Sequence, residues 1–133
     1  MPSLFEAPTE PVRPWDAIFW WEKRRIPYNL IVGGVGVVSF ILFITCIHAA
    51  DGIEPGEDAV EPLALVLAPF LMNLAYTAGW VVDFPLRLVF QSLSPRITVN
   101  LFRLGLGISL LVVCFPSVFW GGYLLLKMAG VVG

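Results

Sequence analysis

Polar and apolar positions along the chain separate into blocks. Three stretches carry no Asp, Glu, Lys or Arg: residues 28–50, 62–82 and 104–126. About 20 predominantly apolar residues suffice for a helix to cross a hydrocarbon core of about 30 Å. The pattern therefore predicts transmembrane helices over 28–50, 62–82 and 104–127, the last ending on Lys127. Pro69 and Pro116 fall inside the second and third, where a membrane helix tolerates them with a kink.

The flanking blocks differ from one another. Residues 1–13 are polar and contain Pro2, Pro8 and Pro11, the composition of an extended, flexible tail. Residues 14–26 begin with Pro14, which suits a first helical turn, and place Asp16 and Glu22 ahead of Lys23, Arg24 and Arg25. Trp15, Phe19, Trp20 and Trp21 beside that basic cluster predict a short amphipathic helix on the membrane surface, rings at headgroup depth and cations toward lipid phosphates. Pro27 is expected to separate this interfacial helix from the first span. Residues 51–61 hold Asp51, Glu54, Glu57, Asp58 and Glu61 among Gly and Pro and read as a solvated acidic loop. Residues 83–103 mix Asp83, Arg87, Arg96 and Arg103 with apolar positions, an amphipathic segment that cannot cross lipid cheaply. Ser94-Pro95 resembles a helix start within it, Ser as cap and Pro at the first position.

Composition supports this division. Of 133 residues, 58% are hydrophobic and 14% charged, with mean hydropathy +0.84. A soluble domain of this size needs more polar surface than that. A net charge of −2 points to neither nucleic acid nor a strongly anionic partner. The distribution of cations says more. Arg13, Lys23, Arg24 and Arg25 precede the first span, Arg87, Arg96 and Arg103 lie between the second and third, and the acidic loop has no Lys or Arg. Lys and Arg mark the cytoplasmic side. The expectation is a multi-pass protein of a cell inner membrane with a cytoplasmic amino terminus and a periplasmic carboxyl terminus. The leading 26 residues have no clean apolar core of the secretory-leader type.

Few residues are candidates for chemistry. Ala64, Ala68, Ala75 and Gly79 form a small-residue stripe along the second helix at about 100° per residue. Gly33 and Gly36 in the first helix, and Gly105 and Ser109 in the third, offer matching small surfaces. Such faces let helices approach closely, either within this bundle or against a partner subunit. Asn73 and Thr77, one turn apart with Tyr76 beside them, are expected to face another helix or to line a ligand or ion path. His48, the sole histidine, could ligate haem or chlorophyll, or simply sit at the interface. Arg96, Asn100 and Arg103 share one helical face and, with Arg24 and Arg25, could hold lipid phosphates or pair with Asp83 and Glu22. Cys46 and Cys114 lie at different depths of their helices and read as small apolar residues rather than a disulfide. No catalytic or metal-binding pattern and no cofactor is called for.

Trp20-Trp21-Glu22-Lys23-Arg24-Arg25-Ile26-Pro27-Tyr28-Asn29, Glu57-Asp58-Ala59-Val60-Glu61-Pro62, Tyr76-Thr77-Ala78-Gly79-Trp80 and Leu101-Phe102-Arg103-Leu104-Gly105-Leu106 resemble a group of small uncharacterised bacterial membrane proteins. The resemblance covers about residues 20–125 and implies a bacterial inner membrane protein of this architecture, with no activity attached. The expected fold is an all-α membrane protein with three transmembrane helices, an interfacial amphipathic helix before the first and an amphipathic cytoplasmic segment before the third. The expected function is that of a small non-catalytic subunit packing against other membrane helices. The alternatives are a homo-oligomeric channel or carrier lined by Asn73 and Thr77, and a pigment- or haem-contacting subunit of an electron-transfer complex using His48.

Overall fold

The structure, a computed structural model, describes residues 3–9, 13–50, 52–54, 62–90 and 92–132. Most of the acidic loop, including Asp51, Glu57, Asp58 and Glu61, lies outside the described residues. The described residues are all-helical, with α1 over Pro14–Ala49, α2 over Pro62–Val89 and α3 over Arg96–Met128. All three are long and apolar enough to cross a membrane. The chain is built as a multi-pass membrane protein.

At about 1.5 Å per residue, helices of 36, 28 and 33 residues run about 54, 42 and 50 Å, well beyond a 30 Å hydrocarbon core. The surplus lies at one end. Asp16, Glu22, Lys23, Arg24 and Arg25 on α1, Asp83 and Arg87 on α2, and Arg96 and Arg103 on α3 all gather there, at the charged end of the bundle. Contacts give the helix directions. Trp21 meets Phe102, Ser39 meets Ser117 and Lys127 reaches Ala50, so α1 and α3 run parallel along their full length. Trp21 meets Asp83, Arg25 meets Thr77 and Asn29 meets Asn73, so α2 runs antiparallel to α1.

The expected break at Pro27 is absent, and the predicted interfacial helix 14–26 is the first third of α1. A proline inside a helix removes one hydrogen bond and crowds the preceding turn, at about 3 kcal/mol. Packing on both sides of it outweighs that preference. Ala17, Trp20, Trp21 and Arg24 before Pro27, and Tyr28 and Val32 after it, are buried at the 3–4 residue spacing of one continuous face. The segment 83–103 divides between the last turns of α2, a connection, and the first two turns of α3. The helix starts one residue later than Ser94-Pro95 suggested, with Pro95 as the cap residue of α3, and Ser94 Oγ accepts the Arg96 N–H at 3.3 Å just ahead of it.

Packing is concentrated at the charged end. Phe102, 1% exposed, is its hub: the rings of Phe5, Trp20, Trp21, Tyr28 and Tyr76 lie between 5.7 and 6.5 Å from its own. Most of these pairs are edge-on, the geometry that ring quadrupoles favour. Residues 3–9, expected as part of a flexible tail, fold back onto this core. The Arg24 guanidinium donates to the carbonyls of Ser3, Leu4 and Glu6, and Trp20 Nε1 donates to the Glu6 carbonyl. Toward the other end α2 diverges from the α1–α3 pair, which stays in contact through Ser39 and Ser117 and through Lys127 and Ala50, and residues 62–71 of α2 are exposed at every position. The physical reason is solvent. Lipid tails solvate Leu and Val as well as another helix does, so an apolar helix face in a membrane gains little from closing onto its neighbours.

Candidate functional site

Two polar assemblies join the helices at the charged end. The first is fully enclosed. Asp83 and Arg87, one turn apart on α2, form a salt bridge at 3.1 Å and are 0% and 3% exposed. Trp21 Nε1 on α1 and Thr98 Oγ1 on α3 donate to Asp83 Oδ2 at 3.1 and 2.7 Å. Arg87 also donates to Thr98 Oγ1 and to the Leu93 carbonyl. A buried ion pair is tolerable only where further hydrogen bonds satisfy its remaining donors and lone pairs, and here α1, α3 and the connection between α2 and α3 supply them. The assembly is a weld.

The second is half-buried. Arg25 makes a bidentate pair with Glu22, at 2.9 and 2.7 Å, and reaches across to Asn73 Oδ1 at 3.4 Å and Thr77 Oγ1 at 3.2 Å. Asn29 Nδ2 donates to the same Asn73 Oδ1 at 3.1 Å, and the Arg25 guanidinium lies 5.1 Å from the centre of the Tyr76 ring. Tyr76 in turn donates its hydroxyl to the Trp21 carbonyl. Asn73 and Thr77 therefore do face another helix, and α1 supplies their partners.

Beyond Asn29 and Asn73, α1 and α2 part to form a lateral cleft of about 820 Å³. Its walls carry small residues, Gly33 and Gly36 on one side and Ala64 and Ala68 on the other, while Val113 of α3 contributes to the floor. Four of the predicted small residues thus look at each other across open space. Gly79 acts differently. A Cβ there would stand 2.6 Å from the Trp21 ring, so the glycine is the seat on α2 that lets this indole reach Asp83. Ala75 is exposed and a Cβ on Gly105 would meet nothing within 4 Å, while Ser109 Oγ lies 2.7 Å from the Tyr28 hydroxyl.

The residues assigned to lipid headgroups divide in two. Trp15, 66% exposed, packs edge-on against Phe84, and Lys23, Arg96 and Arg103 are exposed, Arg103 above the Phe5 ring. Trp20, Trp21 and Arg24 are not at the surface and the expectation is corrected: they are buried, with their N–H donors satisfied by Glu6, Asp83 and the tail carbonyls. Glu22 pairs with Arg25 and Asp83 with Arg87, and among the described residues neither carboxylate forms an ion pair with Arg96 or Arg103. His48 is exposed in the last turn of α1, and among the described residues no His, Cys, Asp and Glu group could hold a metal ion. Cys46 and Cys114 are free thiols.

Sequence reasoning passed over Asn29, Thr98 and Phe102. The one available signal was Asp83 and Arg87 at i, i+4 inside an apolar context, an arrangement that pairs on a single helix face. Compared with protein-family models, curated proteins and solved structures, the chain has no match.

Proposed function

We propose that the chain is a small accessory subunit of a membrane assembly, without catalysis of its own, held by its charged end on the cytoplasmic side of a bacterial inner membrane. The observation that carries this reading is the asymmetry of α2. Its charged-end half is locked by Asp83 and Arg87, while residues 62–71 stand clear of the other helices. Leu63, Val66, Phe70 and Leu74 lie on the face turned away from the cleft and are 57–71% exposed. A rigid base carrying an extended apolar arm suits lateral contact with a larger membrane protein, where association rests on packing rather than on hydrophobic drive. A channel along Asn73 and Thr77 has less support, since Arg25 and Asn29 already engage both side chains. The orientation follows from the arginines and lysines at the charged end.

The test is native mass measurement after extraction of the full chain from its host in a mild detergent. A mixed assembly is expected, and Phe70→Ala with Leu74→Ala should cut the co-purified partner at least tenfold while leaving thermal stability unchanged. A lone chain, or one bound only to copies of itself, would overturn the reading. Cysteine at Gly56, in a background lacking Cys46 and Cys114, should react with impermeant reagents only from outside the cell; labelling only from the cytoplasm would reverse the topology.

A further inference from the structure

We infer that the lateral cleft between α1 and α2 is a binding site for one phospholipid of the leaflet at the charged end, and that the Arg25–Glu22 pair reads its zwitterionic phosphate–ammonium headgroup. Size is the first argument. A volume of about 820 Å³ falls in the range of single small-molecule sites, about 300–1,000 Å³, and its wall from Asn29 to Phe43 is about 21 Å long at 1.5 Å per residue. Half a hydrocarbon core is about 15 Å, so the cleft accommodates the tail of a lipid whose headgroup lies at the Asn29 end.

Charge is the second argument. At that end a guanidinium and a carboxylate stand side by side, 27% and 44% exposed along their side chains. Arg25 has five N–H donors, and four hydrogen bonds go to Glu22, Asn73 and Thr77. The fifth, on Nη1, is available to a phosphate oxygen, while the outward face of Glu22 is available to an ammonium. A partner helix at this position would bring a backbone already bonded to itself, with no donor or acceptor to add to the Arg25–Glu22 pair. An anionic headgroup without an ammonium would answer Arg25 but crowd Glu22.

The small residues of the two walls acquire a reason on this reading. Gly33, Gly36, Ala64 and Ala68 do not bring the backbones together; they keep the cleft wide enough for an alkyl chain. This site uses the face of α2 opposite to the one proposed for partner contact, so the two readings can fail separately.

The experiment uses delipidated full-length protein in detergent, mixed with phosphatidylethanolamine or phosphatidylglycerol vesicles and followed by native mass spectrometry. One retained phosphatidylethanolamine per chain is expected, with at least tenfold weaker retention of phosphatidylglycerol. Gly33→Leu and Ala68→Leu fill the cleft from opposite walls, and a Cβ at Gly33 meets nothing within 4 Å, so the fold should survive it. Either substitution should reduce retention at least tenfold with the unfolding temperature unchanged or raised. Arg25→Gln should remove the preference between headgroups. Retention unaffected by both cleft-filling variants overturns the site. Equal retention of the two lipids by the unaltered chain overturns the headgroup assignment.

Discussion

Individual residues decide how the helices are fastened. Asp83 lies within the candidate span of α2, yet it is buried beneath Trp21, Arg87 and Thr98 and meets no lipid. Removing one partner of a buried ion pair leaves a charge with no counterion, which typically costs 3–5 kcal/mol, whereas replacing both with apolar groups costs far less. Arg87→Met is therefore expected to lower stability by about 3–5 kcal/mol in a denaturation series in detergent. Asp83→Leu combined with Arg87→Met should recover most of that loss. A double variant no better than the single one would mean that the pair contributes more than mutual neutralisation. Opposite charges one turn apart were visible in the sequence, but Thr98 and Trp21 lie 15 and 62 positions from Asp83, and no local pattern joins them.

At the level of elements, α1 is where local preference and tertiary packing disagree. Pro27 and the aromatic-basic segment before it have the composition of a helix lying on the membrane plane. The same composition serves equally well inside a bundle once the indoles find acceptors and Arg24 finds the carbonyls of residues 3–6. Distance measurement between spin labels separates these arrangements. Labels at Phe19 and Val38, both exposed, should lie about 28 Å apart on a continuous helix and about 20 Å apart if the chain turned through a right angle at Pro27. The shorter distance would remove the docking of Trp20 and Trp21 against Phe102. The apolar extents of α2 and α3 were legible from the distribution of charges alone. The extra turns that carry α2 to Val89 were hidden, because Asp83 and Arg87 looked like a boundary when each was counted as a separate charge.

All three helices pack tightly at the charged end, whereas at the other end only α1 and α3 stay joined, and stability should follow that division. Phe102→Ala empties the aromatic hub and is expected to cost about 3–5 kcal/mol. Leu111→Ala, at a position 73% exposed, should change stability by less than about 0.5 kcal/mol. Equal losses at the two positions would mean that lipid-facing packing carries as much of the fold as the hub. Of this arrangement, composition and charge order alone dictated three oil-soluble stretches and the gathering of cations at one end, because transfer into hydrocarbon depends on runs of residue types and needs no partner. They also marked Asn73 and Thr77 as groups in search of a neighbouring helix. Folding in three dimensions settled that Trp20, Trp21 and Arg24 turn inward, that α1 passes through Pro27 unbroken, and that small residues on facing walls leave a cleft instead of closing it. Each of those outcomes depends on a hydrogen-bond acceptor, a ring or an empty volume supplied by a distant part of the chain, and such complementarity exists only once the helices have met.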